Sequence, residues 1–266
     1  AGLTLVFGIM NRINLAHGSL YMRGAYFAAT VLQQTGNLLL ALLGATCFTA
    51  LAGYVMEVVV LRSLYRRDHL DQVLCTFGII LFLNELTRLI WGALPLPMDL
   101  PPALAGDVRL LPGFTYPTFR LVIILAGLLV GVMMYLLISR TRLGMRIRAG
   151  ASDRAMVGAL GGNIRSLYSY IFSLGAALAG LAGFMAGPIL AVQVGMGDSV
   201  LVLALVVIVI GGVGSVRGAL IAGILVGLVD TFGRVLLPAA LADMGIYALM
   251  ALILFTRPQG LFPARG

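Results

Sequence analysis

The chain has 266 residues, of which 61% are hydrophobic and only 11% are charged, whereas charged residues make up about 25% of an average soluble domain. This composition excludes a soluble enzyme, a disordered chain and a collagen-like chain, because too much apolar surface would face water. The net charge of +8 does not indicate nucleic-acid binding, because the charges lie in short loops between apolar runs, as in multi-span membrane proteins.

Apolar runs long enough to cross a bilayer, which takes about 20 residues, recur along the chain. The first 33 residues are apolar but interrupted, and form either one broken helix or two partial helices. Lipid favours helices, and no run shows the alternation of a transmembrane barrel. The predicted fold class is therefore all-α, a polytopic transmembrane helical bundle with a broken N-terminal helix. The seven further runs span residues 38–61, 73–94, 121–138, 168–192, 200–210, 219–237 and 239–255.

Arginine is unevenly distributed between the segments that join these runs. Six arginines lie in residues 139–166, three in 61–71 and two after Phe255, whereas the Pro-rich segment 95–119 holds only Arg109. Short cytoplasmic loops carry an excess of Lys and Arg. The three arginine-rich segments are therefore predicted to be cytoplasmic and the Pro-rich segment external, and the even number of spans between the arginine-rich segments agrees.

The N-terminal break concentrates polar residues in an apolar stretch, with Asn11, Asn14, His17 and Ser19 close together. Polar groups at membrane depth are costly, and they are tolerated where they line a cavity or a transport pathway. A helix beginning near Ser19 would direct its N-terminal N–H groups at an anion such as an amino-acid carboxylate. A second interpretation stays open, in which this stretch is an interfacial loop and Arg12 reaches the lipid headgroups.

The basic segment 140–166 carries a helix-capping pattern as well as charge. Ser152 or Asp153 is placed to cap a helix that begins near Arg154, and Gly161 with the glycine after it is typical of a helix C-terminus. A short capped helix on the cytoplasmic side is suited to docking in a cleft of another protein. The alternative is that the arginines only fix topology and contact anionic lipid.

Two pairs of opposite charges lie inside predicted spans. Glu85 and Arg88 are three residues apart, and Asp230 and Arg234 are four apart, so each pair shares a helix face. Each pair forms either part of an ion or proton relay or a structural pair that faces the bundle interior.

Other features of the composition exclude a standard nucleotide-binding loop and a metal site. The chain has no lysine, so it cannot form a standard nucleotide-binding P-loop. Its two cysteines lie in apolar runs and its two histidines are far apart, and neither arrangement has the spacing of a metal site.

Small residues recur at helical spacing in two of the predicted spans. These patterns predict faces where helices pack closely, because small side chains let two backbones approach. The two stripes are Gly175, Ala179, Gly183 and Gly187 in one span, and Gly218, Gly223 and Gly227 in the other.

Several motifs occur in order along nearly the whole chain. They are Gly2-Leu-Thr-Leu-Val-Phe-Gly8, Arg12-Ile-Asn-Leu-Ala-His-Gly18 with Gly24-Ala-Tyr26, Asp153 to Asn163, Gly211-Gly-Val-Gly-Ser215 through Gly227, and Arg257-Pro-Gln-Gly-Leu-Phe262. Together they resemble the branched-chain amino-acid ABC transporter permeases of the LivH type. The sequence departs from that family's pattern at four positions: Leu15 for Phe, Gly162 for Ile, Arg217 for Pro and Asp230 for Glu.

The resemblance implies one transmembrane permease domain over residues 1–266, preceded in the family by a further N-terminal helical stretch, with a cytoplasmic coupling loop at 140–166. It implies import of branched-chain or related hydrophobic amino acids, and no catalytic residue. The candidate pathway residues are Asn11, Asn14, His17 and Ser19. The candidate coupling residues, on which two ATPase subunits would dock, are Arg146, Asp153, Arg154, Gly161 and Asn163.

The resemblance also implies the partners and the location. The partners are a second, LivM-like permease subunit, two ATPase subunits that bind the ATP, an external solute-binding protein and the lipid bilayer, without nucleic acid. This chain itself would hold no cofactor or metal and would lie in the bacterial inner membrane with a cytoplasmic C-terminus. The alternative function is a self-sufficient secondary transporter or channel for a small polar solute such as urea or a short amide.

Overall fold

The computed structural model of the chain describes residues 2–10, 14–65, 67–102, 104–111, 114–236 and 238–262. Most of these residues are helical, and a π-helical turn, Glu57–Leu61, joins the third helix to the fourth. An antiparallel hairpin of β1 (Asp107–Leu111) and β2 (Phe114–Pro117) occupies the predicted external segment. The helices are α1 (Gly2–Met10), α2 (His17–Thr35), α3 (Leu38–Met56), α4 (Arg62–Leu64), α5 (His69–Trp91), α6 (Thr118–Arg140), α7 (Arg142–Ser152), α8 (Arg154–Ala159), α9 (Ile164–Ala186), α10 (Met196–Gly211), α11 (Val216–Leu236) and α12 (Ala239–Thr256).

Within the described ranges, five helical stretches are long and apolar enough to cross a membrane. Shorter apolar helices, Met196–Gly211 and Met244–Thr256, coincide with two further predicted spans. The predicted fold class, a polytopic helical membrane bundle, is confirmed. The five long stretches are Leu38–Leu64, His69–Trp91, Thr118–Arg140, Ile164–Ala186 and Val216–Leu236.

Helix α2 differs from the five long stretches because most of it is buried inside the protein. The long helices expose large apolar side chains such as Leu89 and Leu125, as expected of surfaces that meet lipid. A helix surrounded by protein is free to carry polar side chains that lipid would not tolerate. This explains why α2 is at once the most polar of the long helices and one of the most buried.

The described residues fall into two compact units. The first contains α1, the C-terminal end of α6, α7, α8, the start of α9 and nearly all of the chain after Asp198. Its apolar core is built from α10, α11 and α12, whose inner residues pack together. The prediction of a single permease domain over residues 1–266 stays a prediction. The core residues are Val206, Ile210, Ala222, Val226, Ile246 and Ile253.

The second unit contains α2, α3, α5, the hairpin, most of α6 and the rest of α9. Its central feature is the antiparallel pair α2–α3. Helix α2 ends at Gly36, whose φ of 63° is favoured by glycine, and Asn37 then caps α3 by accepting from the Leu39 N–H at 2.9 Å. The Phe27 and Phe48 rings stack between the two helices with their centroids 4.4 Å apart.

Gly183 of the predicted close-packing stripe on α9 lies against α2 in this unit. A Cβ added at Gly183 would overlap the Tyr21 carbonyl, and one at Gly24 would overlap the backbone of Gly180. The stripe on α11 is only partly a packing face, because Gly218 meets the backbone of Gly211 whereas a Cβ on Gly227 would meet no described atom within 4 Å. Spacing alone does not distinguish a glycine at a helix contact from one that faces away from it.

Alanine substitution of these two glycines is expected to have opposite effects on stability. Gly183→Ala forces a methyl group into backbone that cannot rotate away, and overpacking of this kind costs about 1–3 kcal/mol. Gly227→Ala fills open space and favours the helix by about 0.5–1 kcal/mol. Thermal unfolding of the detergent-purified variants measures both, and a Gly183→Ala protein as stable as the Gly227→Ala control would contradict this packing.

Candidate functional site

The turn before α2 is held by Asn14. Its Oδ1 atom accepts a hydrogen bond from the Ala16 backbone N–H at 3.0 Å, and the Asn14 carbonyl accepts from the His17 N–H at 3.4 Å. Helix α2 begins at His17, two residues before the predicted start, and its N-cap residue, Ala16, makes no side-chain capping bond. An uncapped helix N-terminus keeps its partial positive charge available to an anion.

The first turn of α10 lies against the first turn of α2. A Cβ on Gly197 would overlap the Gly18 carbonyl, so this approach requires glycine. Just before α10, Gly195 has a φ of 86° and donates its N–H to the Met22 sulfur at 3.3 Å. Two helix N-termini therefore meet in a buried part of one unit. Transporters place the positive ends of broken helices in this way towards anionic groups of their substrates.

Polar atoms near the start of α2 are buried without a hydrogen-bond partner among the described residues. They are Asn14 Nδ2, His17 Nδ1 and Ser19 Oγ, and the three residues are 6%, 6% and 2% exposed. Each such atom costs about 1–3 kcal/mol, and native structures hold few of them. These atoms lie within six residues of one another, in the segment that the sequence predicts to line the pathway.

The predicted pathway residues do not share one helix face. Residues two apart on a helix are about 200° apart, so His17 and Ser19 lie on opposite sides of α2. The His17 ring meets the Phe172 ring of α9 edge-on, with centroids 6.5 Å apart. Asn11, the fourth predicted pathway residue, lies outside the described residues.

Sequence reasoning missed two residues that share the face of Ser19. Arg23 and Tyr26 follow it by four and seven positions, which places all three within about 60° of one another on α2. Arg23 Nε and Nη2 and the Tyr26 hydroxyl are buried without a partner among the described residues. We call Ser19, Arg23 and Tyr26 the α2 polar stripe. The spacing of four and seven residues from Ser19 is visible in the sequence and predicts that the three residues share one helix face.

Trp91 lies at the far end of the α2 polar stripe. Its ring is tilted against the Tyr26 ring with centroids 5.2 Å apart, and its Nε1 donates to Thr30 Oγ1 at 2.8 Å. The indole N–H is therefore satisfied, in contrast to the Tyr26 hydroxyl beside it. The stripe begins near the meeting helix N-termini and ends at this aromatic pair.

The predicted coupling loop folds into two helices of the other unit. Thr141 caps α7 by accepting from the Gly144 N–H at 3.0 Å. Gly144, Ile147 and Gly150, one residue in every three, form the buried side of α7. This side lies against α1 and the start of α9, where Gly150 contacts Leu167. The opposite side, which includes Arg146, is exposed.

Helix α8 begins and ends as the sequence predicts. Asp153 caps it, because its Oδ1 accepts from the Met156 N–H at 3.0 Å. At the other end Gly161 has a φ of 81°, and the next N–H bonds back to the Val157 carbonyl at 2.9 Å, the pattern of a glycine-terminated helix. Asn163 has a role that was not predicted, since its Oδ1 caps α9 by accepting from the Ser166 N–H at 3.1 Å.

The surface of α8 exposes apolar side chains beside arginine-rich α7. Met156 is 57% exposed and Leu160, just after the helix, is 80% exposed. The Arg154 side chain lies outside the described part of the chain. Of the predicted coupling residues, Asp153, Gly161 and Asn163 shape the segment, whereas exposed Arg146 contributes charge.

Two motifs that are far apart in sequence meet in the first unit. The Leu261 and Phe262 N–H groups donate to the carbonyls of Ile210 and Gly211 at 2.9 and 3.1 Å. The glycine-rich turn before α11 is thus paired with the C-terminal segment. Nearby, Arg217 donates to the Tyr135 hydroxyl at 2.7 Å and lies over its ring, 4.6 Å from the centroid.

Both charge pairs inside the spans lie at the surface of this chain, and their role as a relay or as structural pairs stays a prediction. Glu85 and Arg88 are 3.1 Å apart with both side chains more than half exposed. Asp230 and Arg234 are 3.0 Å apart, and the Arg234 side chain is also more than half exposed. Each pair closes on its own helix.

The buried acid of the π-helical turn has partners that the sequence did not reveal. The fully buried Glu57 carboxylate is 3.3 Å from Arg62 Nη2 and accepts from the Tyr65 hydroxyl at 3.2 Å. A buried carboxylate in lipid needs such compensation.

A family model described as the permease component of branched-chain amino acid transport systems matches residues 1–254. The chain belongs to this permease family. It is 31% identical to the high-affinity branched-chain amino acid transport system permease protein BraD of Pseudomonas aeruginosa, over 98% of this chain and 89% of the relative. It is 29% identical to LivH of Escherichia coli, with 98% and 88% covered. No solved structure gives a significant match.

The match also reaches an archaeal relative. The permease is 25% identical to the probable branched-chain amino acid transport permease protein LivH of Methanocaldococcus jannaschii, over 86% of this chain and 74% of the relative. The predicted resemblance to LivH-type permeases is confirmed. The chain is accordingly a multi-pass membrane permease and not an enzyme.

Removing the cap of α8 is expected to loosen this helix specifically. Asp153→Ala removes the acceptor of the Met156 N–H, a loss of about 1 kcal/mol, which corresponds to about fivefold faster amide exchange. Asp153→Ser keeps a capping oxygen without the charge and is expected to stay near wild type. Hydrogen–deuterium exchange over residues 154–160 measures this, and equal exchange in all three proteins would contradict the cap.

Proposed function

We propose that this permease imports branched-chain or related hydrophobic amino acids with energy from separate ATPase subunits. The substrate class rests on the relatives, which are named as branched-chain amino acid transport permeases. The division of labour rests on the chain itself. With no lysine it cannot build a standard P-loop, so ATP is bound and hydrolysed by a partner.

The observation that carries this proposal is the construction of α8. A six-residue helix is far too short to be stable alone, yet Asp153 and Gly161 define both of its ends. It presents exposed Met156 and Leu160 next to the arginines of α7. A loop that only set membrane topology would not need this construction. We assign residues 140–166 as the coupling segment on which the ATPase subunits dock.

The membrane orientation follows from the arginine distribution. The coupling segment and the C-terminus lie on the cytoplasmic side, where short loops are enriched in arginine. The hairpin of β1 and β2 lies outside, where a solute-binding protein delivers the amino acid. A LivM-like second permease subunit completes the pathway.

The solute passes the start of α2, where Asn14, His17 and Ser19 hold unpartnered buried polar atoms. The meeting N-termini of α2 and α10 offer positive partial charge to its carboxylate. The alternative of a self-sufficient transporter needs an ion relay inside the bundle. Both candidate relay pairs are exposed and neutralised on single helices, which favours the ATP-driven proposal.

Reconstitution separates the two mechanisms. The complete transporter in proteoliposomes is expected to accumulate radiolabelled L-leucine only when ATP and the binding protein are present. The permease without ATPase subunits is expected to show no uptake under any imposed ion gradient. Uptake by the permease alone, driven by an ion gradient, would overturn the proposal.

A charge placed on the surface of α8 is expected to weaken ATPase docking. Met156→Asp introduces a carboxylate into an apolar contact and should lower the amount of ATPase subunit that co-purifies by about tenfold, since desolvating an unpaired charge costs more than 1.4 kcal/mol. Val108→Asp, at an exposed apolar residue of the external hairpin, is the matched control. If both variants retain the ATPase subunits fully, α8 is not the docking surface.

A further inference from the structure

We propose that the α2 polar stripe, Ser19, Arg23 and Tyr26, binds the carboxylate group of the transported solute. The inference rests on the proposed import function and deepens it. It names the side chains that recognise the solute, and it adds Arg23 and Tyr26 to the pathway.

Among the described residues, Arg23 lacks the acidic partner that three other helical arginines have. Arg62, Arg88 and Arg234 each form an ion pair with a glutamate or aspartate. Among the described residues no acid pairs with Arg23, and its Nε and Nη2 atoms are buried without a hydrogen bond. An unpaired guanidinium inside a membrane protein is costly and points to an anionic partner that comes and goes.

The three side chains of the α2 polar stripe carry groups that can bind a carboxylate. A guanidinium donates hydrogen bonds and accepts none, and its planar edge matches a carboxylate with two parallel bonds. The Ser19 and Tyr26 hydroxyls can donate to the same anion. All three face one side of α2, and Arg23 lies one turn from Ser19 and one turn from Tyr26, so the two hydroxyl-bearing residues flank the guanidinium-bearing one.

The hydroxyls of Ser19 and Tyr26 have no structural role among the described residues. Ser19 is 2% exposed and Tyr26 is fully buried, and neither hydroxyl has a hydrogen-bond partner there. If the stripe were only structural, phenylalanine and alanine would be better residues at these positions. The Tyr26 ring already packs against Trp91, so the hydroxyl adds nothing to that contact.

The first test removes the charge. In proteoliposomes holding the complete transporter, Arg23→Gln is expected to lower ATP-driven uptake of L-leucine by at least about tenfold, as expected for loss of a charge-assisted hydrogen bond. Arg23→Lys should restore part of the uptake. Arg120→Gln, at an exposed arginine on α6, is the control. Uptake by Arg23→Gln within twofold of wild type would overturn the proposal.

The second test removes only hydroxyls, so that loss of folding does not obscure the result. Ser19→Ala and Tyr26→Phe are expected to unfold at the same temperature as wild type or higher, because they delete unpartnered buried groups. Their KM for L-leucine should nevertheless rise several-fold. A structural role predicts unchanged uptake in both variants, and that outcome would contradict the stripe as a binding site.

The third test separates a solute carboxylate from an anionic lipid headgroup. Thermal unfolding of the purified transporter, without binding protein, is measured in the presence of L-leucine and of L-leucinamide. In L-leucinamide an uncharged amide replaces the carboxylate. Wild type should be stabilised more by L-leucine, and Arg23→Gln should lose that difference. If instead the Arg23→Gln uptake defect appears only in vesicles that contain phosphatidylglycerol, lipid is the partner and the proposal fails.

These measurements also distinguish a failure of the proposed import function from a failure of carboxylate binding by the α2 polar stripe. A wild-type transporter that shows no ATP-driven uptake contradicts the proposed import function. The unfolding measurement still decides the stripe in that case, because it requires neither transport nor ATP. Equal stabilisation of wild type by L-leucine and L-leucinamide would overturn carboxylate recognition directly.

Discussion

The bilayer interior offers no water to satisfy polar groups, and this constraint organises the whole molecule. Most of the chain obeys it by forming apolar helices whose backbone bonds are internal. Opposite charges within α5 and α11 are paired, as in Glu85 with Arg88. The exception is α2, which is enclosed by protein and on which polar atoms of Ser19, Arg23 and Tyr26 have no hydrogen-bond partner among the described residues. The proposed solute-binding role would account for the cost of these unpartnered atoms.

The two functional regions solve different physical problems. In the proposed function the coupling segment keeps one shape while it transmits force to a partner. The ends of its helices are defined by Thr141, Asp153 and Gly161, and Asn163 caps the helix that follows. In the proposed function the start of α2 binds and releases a solute, and its N-cap residue, Ala16, makes no side-chain capping bond. Saturated polar groups would keep the coupling segment rigid, and unsaturated ones would leave the other region able to bind a solute.

Sequence reasoning succeeded where the signal was local. The Asp153 cap and the Gly161 ending depend on residues three to five positions apart, and the spans depend on continuous apolar runs. It was insufficient where the partner was distant or the face was undetermined. The contact of Gly18 with Gly197 joins remote segments, and the direction of the Glu85–Arg88 pair depends on which side of α5 meets protein. Arg23 was overlooked although its spacing from Ser19 was visible.

The proposed transport mechanism requires that the buried start of α2 belong to a solute pathway. The decisive measurement labels Ser19→Cys, in a background with Cys47 and Cys75 replaced by alanine, with a water-soluble, membrane-impermeant thiol reagent during ATP-driven cycling. Ala176→Cys, equally buried at a helix contact, is the reference. We expect rapid labelling of the cysteine at position 19, which L-leucine should slow, and no labelling of the cysteine at position 176. Resistance of both positions to the reagent would contradict it.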